Sequence, residues 1–145
     1  MKSMWGEGRQ EIKNRVTRVT PDSRAQWGRM SAPQMVCHLV ESLKMALGEL
    51  QVRPRRVPIR YPPLKQLIVY LAPFPKNVPT APELLARLPR EWDSDVADLQ
   101  AIVDRLQPRG GARWPDHPVF GAMSERAWGV LVYRHMNHHL KQFGA

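Results

Sequence analysis

Near its C-terminus the chain reads VYRHMNHHLKQFG, which puts His135, His138 and His139 within five positions. Three of the five histidines in 145 residues are therefore crowded into little more than one helical turn. Neutral imidazole is a common ligand for transition-metal ions. On an α-helix, with Trp128 set at 0°, Leu131 lies at about −60°, Val132 at about +40° and Phe143 at about +60°. His135 and His139 fall at about −20° and +20°, in the middle of that apolar stripe and one turn apart. His138 sits at its edge, near about −80°. Residues at i and i+4 converge, and an HxxxH pair on a helix can give two nitrogens to one metal ion. The alternative on this helix alone is a pair of core histidines, each of which would need a polar partner in an apolar stripe.

A third imidazole is available at His38, which shares a stripe with Ser42, Met45 and Glu49 at the border of an apolar face. Cys37 is rotated about 100° from it toward the polar side and is expected to be inert. His117 lies in a loop, where it either supports the site or caps a turn. Tyr133, Arg134 and Asn137 point away from the histidine stripe and receive no role.

The elements that must position these residues read as helices. The first spans about 8–19, with Ile12, Val16 and Val19 among charged residues. The second opens on Ser31-Ala32-Pro33-Gln34, which fits a capping box. Pro33 is tolerable in a first turn, and the helix runs to about Gly48. A third spans about 92–107, with Trp92, Val96, Leu99, Val103 and Leu106 on one stripe. The fourth runs from an N-cap at Ser124 to about Gln142. Between the second and third lie eight prolines from Pro54 to Pro82. This stretch is too apolar for a disordered linker, with LKQLIVYL at 64–71 as a short helix of about two turns. Loops of such length are often functional. No strand pattern appears. The expectation is an all-α four-helix bundle, one domain over 1–145, with a long proline-rich connection between helices 2 and 3.

Bulk composition narrows the classes. No apolar run approaches the roughly 18 residues of a membrane span. MKSMWGEGRQEIKNR has no apolar stretch of the signal-peptide kind, and the single cysteine excludes an internal disulfide. A cytoplasmic protein without membrane contact is expected. The net charge of +9 suits nucleic acid, anionic lipid or an anionic substrate. The arginines are scattered, which disfavours nucleic acid. Only RPRRVPIR at 53–60 is dense, so Arg53, Arg55, Arg56 and Arg60 are the candidates for binding an anion.

Two blocks carry a resemblance. SAPQMVCHLVESLKMALGE, preceded by Trp27-Gly28-Arg29-Met30, and HPVFGAMSERAWGVLVYRHMNHHLKQFG together resemble the DinB-like (YfiT-like) superfamily of metal-binding four-helix bundles. The closer match is a branch classed only as a domain of unknown function. Its pattern is W-G-x-M-x-x-x-Q-M-x-x-H, followed near the end by H-P-x-F-G…W…Y-R-H-x-x-H-H-L-x-Q-F-G. The resemblance implies a metal triad of His38, His135 and His139. Three imidazoles leave open positions on a divalent ion, the catalytic type of site. Zinc or nickel is expected, with iron or manganese also compatible with nitrogen ligands. Relatives that use low-molecular-weight thiols against small electrophiles imply a metal-dependent thiol S-transferase with a small-molecule substrate. The alternatives are a hydrolase that uses metal-bound water and a non-enzymatic basic protein that binds DNA or another partner. Glu49 is the one acid nominated as a base or as support for the ligands. A homodimer is compatible with such bundles, though the sequence selects no face.

Overall fold

The computed structural model describes residues 1–145, and it contains helices and no strands. The helices are α1 (Glu7–Val16), α2 (Ala32–Leu47), α3 (Leu64–Gln66), α4 (Trp92–Arg105) and α5 (Glu125–Gln142). α3 continues as a π-turn through Leu67–Leu71, and 3-10 turns occupy Pro58–Arg60 and Pro82–Leu85.

Local chemistry sets the ends of the long helices. Ser31 accepts from the backbone N–H of Gln34, and the Gln34 side chain accepts from the backbone of Ser31, so both halves of the capping box form. Gly48 closes α2 with φ 84°, a left-handed value that favours glycine. Ser124 accepts from Ala127 N at 3.1 Å and starts α5. At α4 the cap is Glu91, whose carboxylate accepts from the N–H groups of Asp93 and Ser94. α1 stops at Val16, earlier than its apolar spacing predicts, yet Val19 is still buried beyond the helix.

Each of the four long helices touches two others: α2 packs on α4 and α5, and α1 on α4 and α5. Ile12, Leu39, Leu99, Val103, Trp128 and Leu140 meet in the shared core. α5 buries eleven of its 18 residues, more than one face supplies. The cause is that α1 flanks it on one side, α2 on another, and the Leu67–Leu71 turn on a third. The N-terminal segment also crosses α5 at Gly129, where a Cβ would stand 2.3 Å from Trp5 Nε1.

Tyr133, Arg134 and Asn137, expected to point away from the histidine stripe, are engaged by other parts of the protein rather than left to solvent. Tyr133 is buried and donates its hydroxyl to Glu11 at 2.9 Å. Asn137 accepts from Arg15 Nη1 at 2.8 Å. Arg134 donates to the carbonyls of Ile68 and Val69, both at 2.7 Å, and to that of Ala72. With Val69, Phe120, Ala127 and Leu131 in a second small core, these bonds fasten residues 64–72 against α5. Val69 is the only fully buried residue between Gly48 and Glu91. Its burial contributes on the order of 1.5–3 kcal/mol to holding that long segment down.

Candidate metal centre

His38 lies in the middle of α2, and His135 and His139 lie one turn apart on α5 where the two helices pack. One ligand atom from each falls within 4.8 Å of the others. The rings meet edge to face, with centroids 5.1 Å apart for His38 and His135 and 4.8 Å for the two pairs that include His139. His38 Nε2 and His135 Nε2 are 3.2 Å apart. Two nitrogens on a tetrahedral zinc ion, each about 2.0–2.1 Å from it, would be about 3.3 Å apart. The pair already has ligand spacing.

The far side of two rings is held. His38 Nδ1 lies 3.2 Å from Leu84 O, an acceptor only, so Nδ1 carries the proton and Nε2 presents its lone pair to the cluster. His139 Nδ1 lies 2.8 Å from Gln142 Oε1, while Gln142 Nε2 donates to Trp27 O at 2.8 Å. That second bond fixes the orientation of the amide, so the Gln142 oxygen faces His139 and Nδ1 donates to it. Such bonds orient metal-ligating imidazoles and set their tautomer.

Electrostatics keep all three rings neutral. Burial lowers the pKa of His38. Burial, then the proximity of His38, lowers that of His139 to about 3. His135 is pushed well below its ordinary value by burial and then by the neighbouring histidines. Neutral imidazoles offer lone pairs at pH 7 without a proton to displace. The donor set, its spacing and its protonation state fit a divalent transition metal, which softer nitrogen ligands suit.

The cluster opens into a cavity of about 1080 Å³. Its walls come from α2, α5, the His117–Phe120 loop and the proline-rich segment. All five histidines line it, and no aspartate or glutamate does. His117 caps a turn, as one of the two expectations had it: its Nδ1 accepts from Val119 N at 3.0 Å and Phe120 N at 3.2 Å. Burial, then Arg60 and Lys65, lowers its pKa to about 3. His138 lies between the rings of Trp27 and Phe74, at 5.4 and 5.9 Å, beside the cluster rather than in it.

The remaining candidates divide. Arg53 and Arg55 line the cavity. Arg56 does not; it is exposed to solvent. Arg60 instead donates to Pro118 O at 3.2 Å and packs against Gly121. Glu49 follows the end of α2, pairs with Arg105 and stands outside the cavity wall. Cys37 does not face solvent. It is buried between α2 and α4, where its thiol donates to Asp95 Oδ2 at 3.8 Å, because α4 covers the side of α2 that reads as polar. Burial, then Asp95, raises its pKa, which leaves an inert thiol.

Residues that the sequence does not single out complete the site. Leu84 comes from a region without periodicity, so nothing marked it. Gln142 did carry a signal, since it stands three residues after His139 and an i, i+3 pair shares a face. Arg29 and Arg87 reach the same cavity from loops on either side of it.

Searches of curated proteins and of solved structures gave no match. A family model described as the DinB superfamily matches residues 7–143, from the start of α1 to the end of α5, and the chain belongs to the DinB superfamily.

Proposed function

We propose that the protein holds one divalent transition metal, zinc or nickel, on His38, His135 and His139, and works as a metal-dependent thiol S-transferase on a small electrophile. The observation that carries this reading is the 3.2 Å approach of two imidazole Nε2 atoms at the edge of a large cavity. The four long helices are read as a DinB-type bundle, and residues 1–145 as one domain.

When bound, such an ion supplies Lewis acidity and lowers the pKa of a thiol or water that reaches its open position. The chain's own residues do the rest. Leu84 O and the Gln142 amide hold two rings so that their Nε2 atoms converge. Apolar walls such as Leu39, Val132 and Phe120 limit water around a reactive sulfur. Arg53 can hold a carboxylate of a thiol cosubstrate. A hydrolase reading has less support, because no carboxylate lines the cavity to serve as a general base.

Metal content measured by plasma mass spectrometry tests the reading. Tag-free protein should carry about one transition metal per chain, and a His135→Ala/His139→Ala variant should carry none. Loaded protein should then consume a low-molecular-weight thiol in the presence of an alkylating electrophile. A metal-free wild type, even after incubation with zinc and nickel, would refute the proposal.

A further inference from the structure

The wall of the cavity is unbalanced in charge. Four arginines line it: Arg29, Arg53, Arg55 and Arg87. Arg87 is neutralised by Asp95 and Asp98, at 2.8 and 2.6 Å. Arg53 has Glu83 beside it, whose carboxylate accepts from the Arg53 N–H at 3.3 Å. Arg29 and Arg55 are exposed and form no ion pair. No acid lines the wall itself; Glu83, just outside it, is the one carboxylate that Arg53 and Arg55 act on, so the lining carries an excess of positive charge. A cleft lined by one sign of charge concentrates ligands of the other.

The two free arginines reach the wall from different parts of the chain. Arg55 donates its backbone N–H to Pro118 O at 2.8 Å, next to His117, and Arg53 joins it to Glu83, the neighbour of the Leu84 that holds His38. Arg29 follows the Trp27 whose carbonyl anchors Gln142, the partner of His139.

About half of the wall is apolar. Twenty of the 39 lining residues are hydrophobic. Three of them, Val78, Leu85 and Leu88, stand exposed at the rim, Leu88 to 77%. Large apolar side chains left in water beside a cavity mark a surface that a ligand covers. Trp128, also on the wall, has a buried Nε1–H without an acceptor, and such a donor is normally satisfied.

We propose that the cavity selects an amphipathic anion: a molecule with an apolar body against the Val78, Leu85 and Leu88 rim and an anionic group held by Arg29 and Arg55, not by the metal. This names the substrate class of the proposed enzyme and rests on that reading of the cavity as its binding site. Arginine forks match carboxylate and phosphate oxygens alike. The identity of the anionic group is therefore open to both, and the apolar body is the common requirement.

Calorimetric titration of the full chain with decanoate, decyl phosphate, decanol and decylammonium tests it. Each probe is run on zinc-loaded and on chelator-stripped protein. Decanoate or decyl phosphate should bind the stripped protein at least roughly tenfold more tightly than decanol, with no binding of the cation. An Arg29→Gln/Arg55→Gln variant should lose roughly tenfold for the anions and keep its affinity for decanol. An Arg29→Lys/Arg55→Lys variant, which keeps the charge, should retain most anion binding, and circular dichroism of all variants should match wild type. Equal affinity for decanol and the anions would overturn the proposal. So would anion binding that appears only with zinc and ignores the arginine substitutions. Metal content of the same samples reports separately on the triad: anion binding by a protein that takes up no metal would sink the metal reading and leave this one standing.

Discussion

The two sides of α2 hold two polar clusters of opposite character. Toward α4, Asp95 is fully buried and yet fully matched. It accepts from Arg87 at 2.8 Å and from Arg90 N at 2.9 Å, and takes the Cys37 thiol at 3.8 Å. Its carboxyl pKa lies below the usual value, since those bonds outweigh the opposing cost of burial. Toward α5, one position further along the helix, His38 joins two more imidazoles, and its Nε2 meets His135 Nε2 at 3.2 Å in a cluster that holds no carboxylate. The first cluster is closed, with charges cancelled and donors matched. The second gathers three neutral imidazoles and opens into the cavity. A closed buried cluster explains itself by holding helices together. A cluster of neutral imidazoles at ligand spacing on the wall of a cavity is what a metal site needs from its protein.

The contrast can be broken by acid first. In the presence of chelator, stability should fall as pH drops from about 6.5, where unfolded histidine begins to bind protons, toward about 3, the folded value for His117 and His139. The slope is roughly 1.4 kcal/mol per pH unit for each histidine held neutral. Above about 6.5 these groups contribute nothing to the slope. Asp95 stays ionised over most of that range, so the α2–α4 cluster is not the cause. Urea midpoints in steps from pH 7.5 to 4.5 measure the effect, and a flat profile would show that the imidazoles are already protonated or already matched.

Substitution sharpens the contrast next. Asp95→Ala strips Arg90 N and the Cys37 thiol of their buried acceptor and leaves Arg87 to Asp98 alone, and should cost about 2–3 kcal/mol in urea unfolding. His135→Leu should move the metal-free protein by no more than about 1 kcal/mol, because an apolar side chain replaces a neutral ring whose one polar contact is with His38. Equal costs at the two sites would erase the distinction between structural and functional clusters.

The smallest effect concerns orientation. Gln142→Ala removes the acceptor for His139 Nδ1 while leaving all three ligands in place. Metal affinity should weaken about 10- to 100-fold, with little change in stoichiometry at saturating metal. Competition with a chromophoric chelator measures it. Unchanged affinity would mean that α5 alone orients the ring.

Legibility followed periodicity. The caps at Ser31 and Ser124 and the choice of His135 and His139 over His138 were readable, because helical spacing and hydrogen-bond chemistry act within a few residues. Pairing them with His38 came from the family pattern, and the packing of α2 on α5 brings the three rings together. The helical wheel failed where it assumed one buried face. Tyr133 and Asn137 look outward on α5 only until α1 lies against them, and Cys37 looks polar-facing only until α4 covers it. Glu49 shared a stripe with His38 on the wheel, but the left-handed turn at Gly48 ends the helix first and carries it away to Arg105. The cavity wall was the least legible part. Prolines remove any period from residues 51–90, so neither Leu84 O nor the placement of Arg55 and Arg56 on different surfaces could be read.

That proline-rich wall has a kinetic consequence. Between Gly48 and Glu91 it sinks one side chain, Val69, fully into the protein, and half-buried Tyr70 and Phe74 and the carbonyls held by Arg134 add to its grip on α5. The helices share a core of 22 buried residues that includes none from this segment. Amide exchange should therefore divide the molecule into a slow helical frame and a fast-opening cover. Because the cover supplies Leu84 O to His38, an ion or substrate could come and go by lifting it. Lifting the Leu84 end also parts Arg87 from Asp95, so exchange at the site would be tied to the ion pair on the other side of α2.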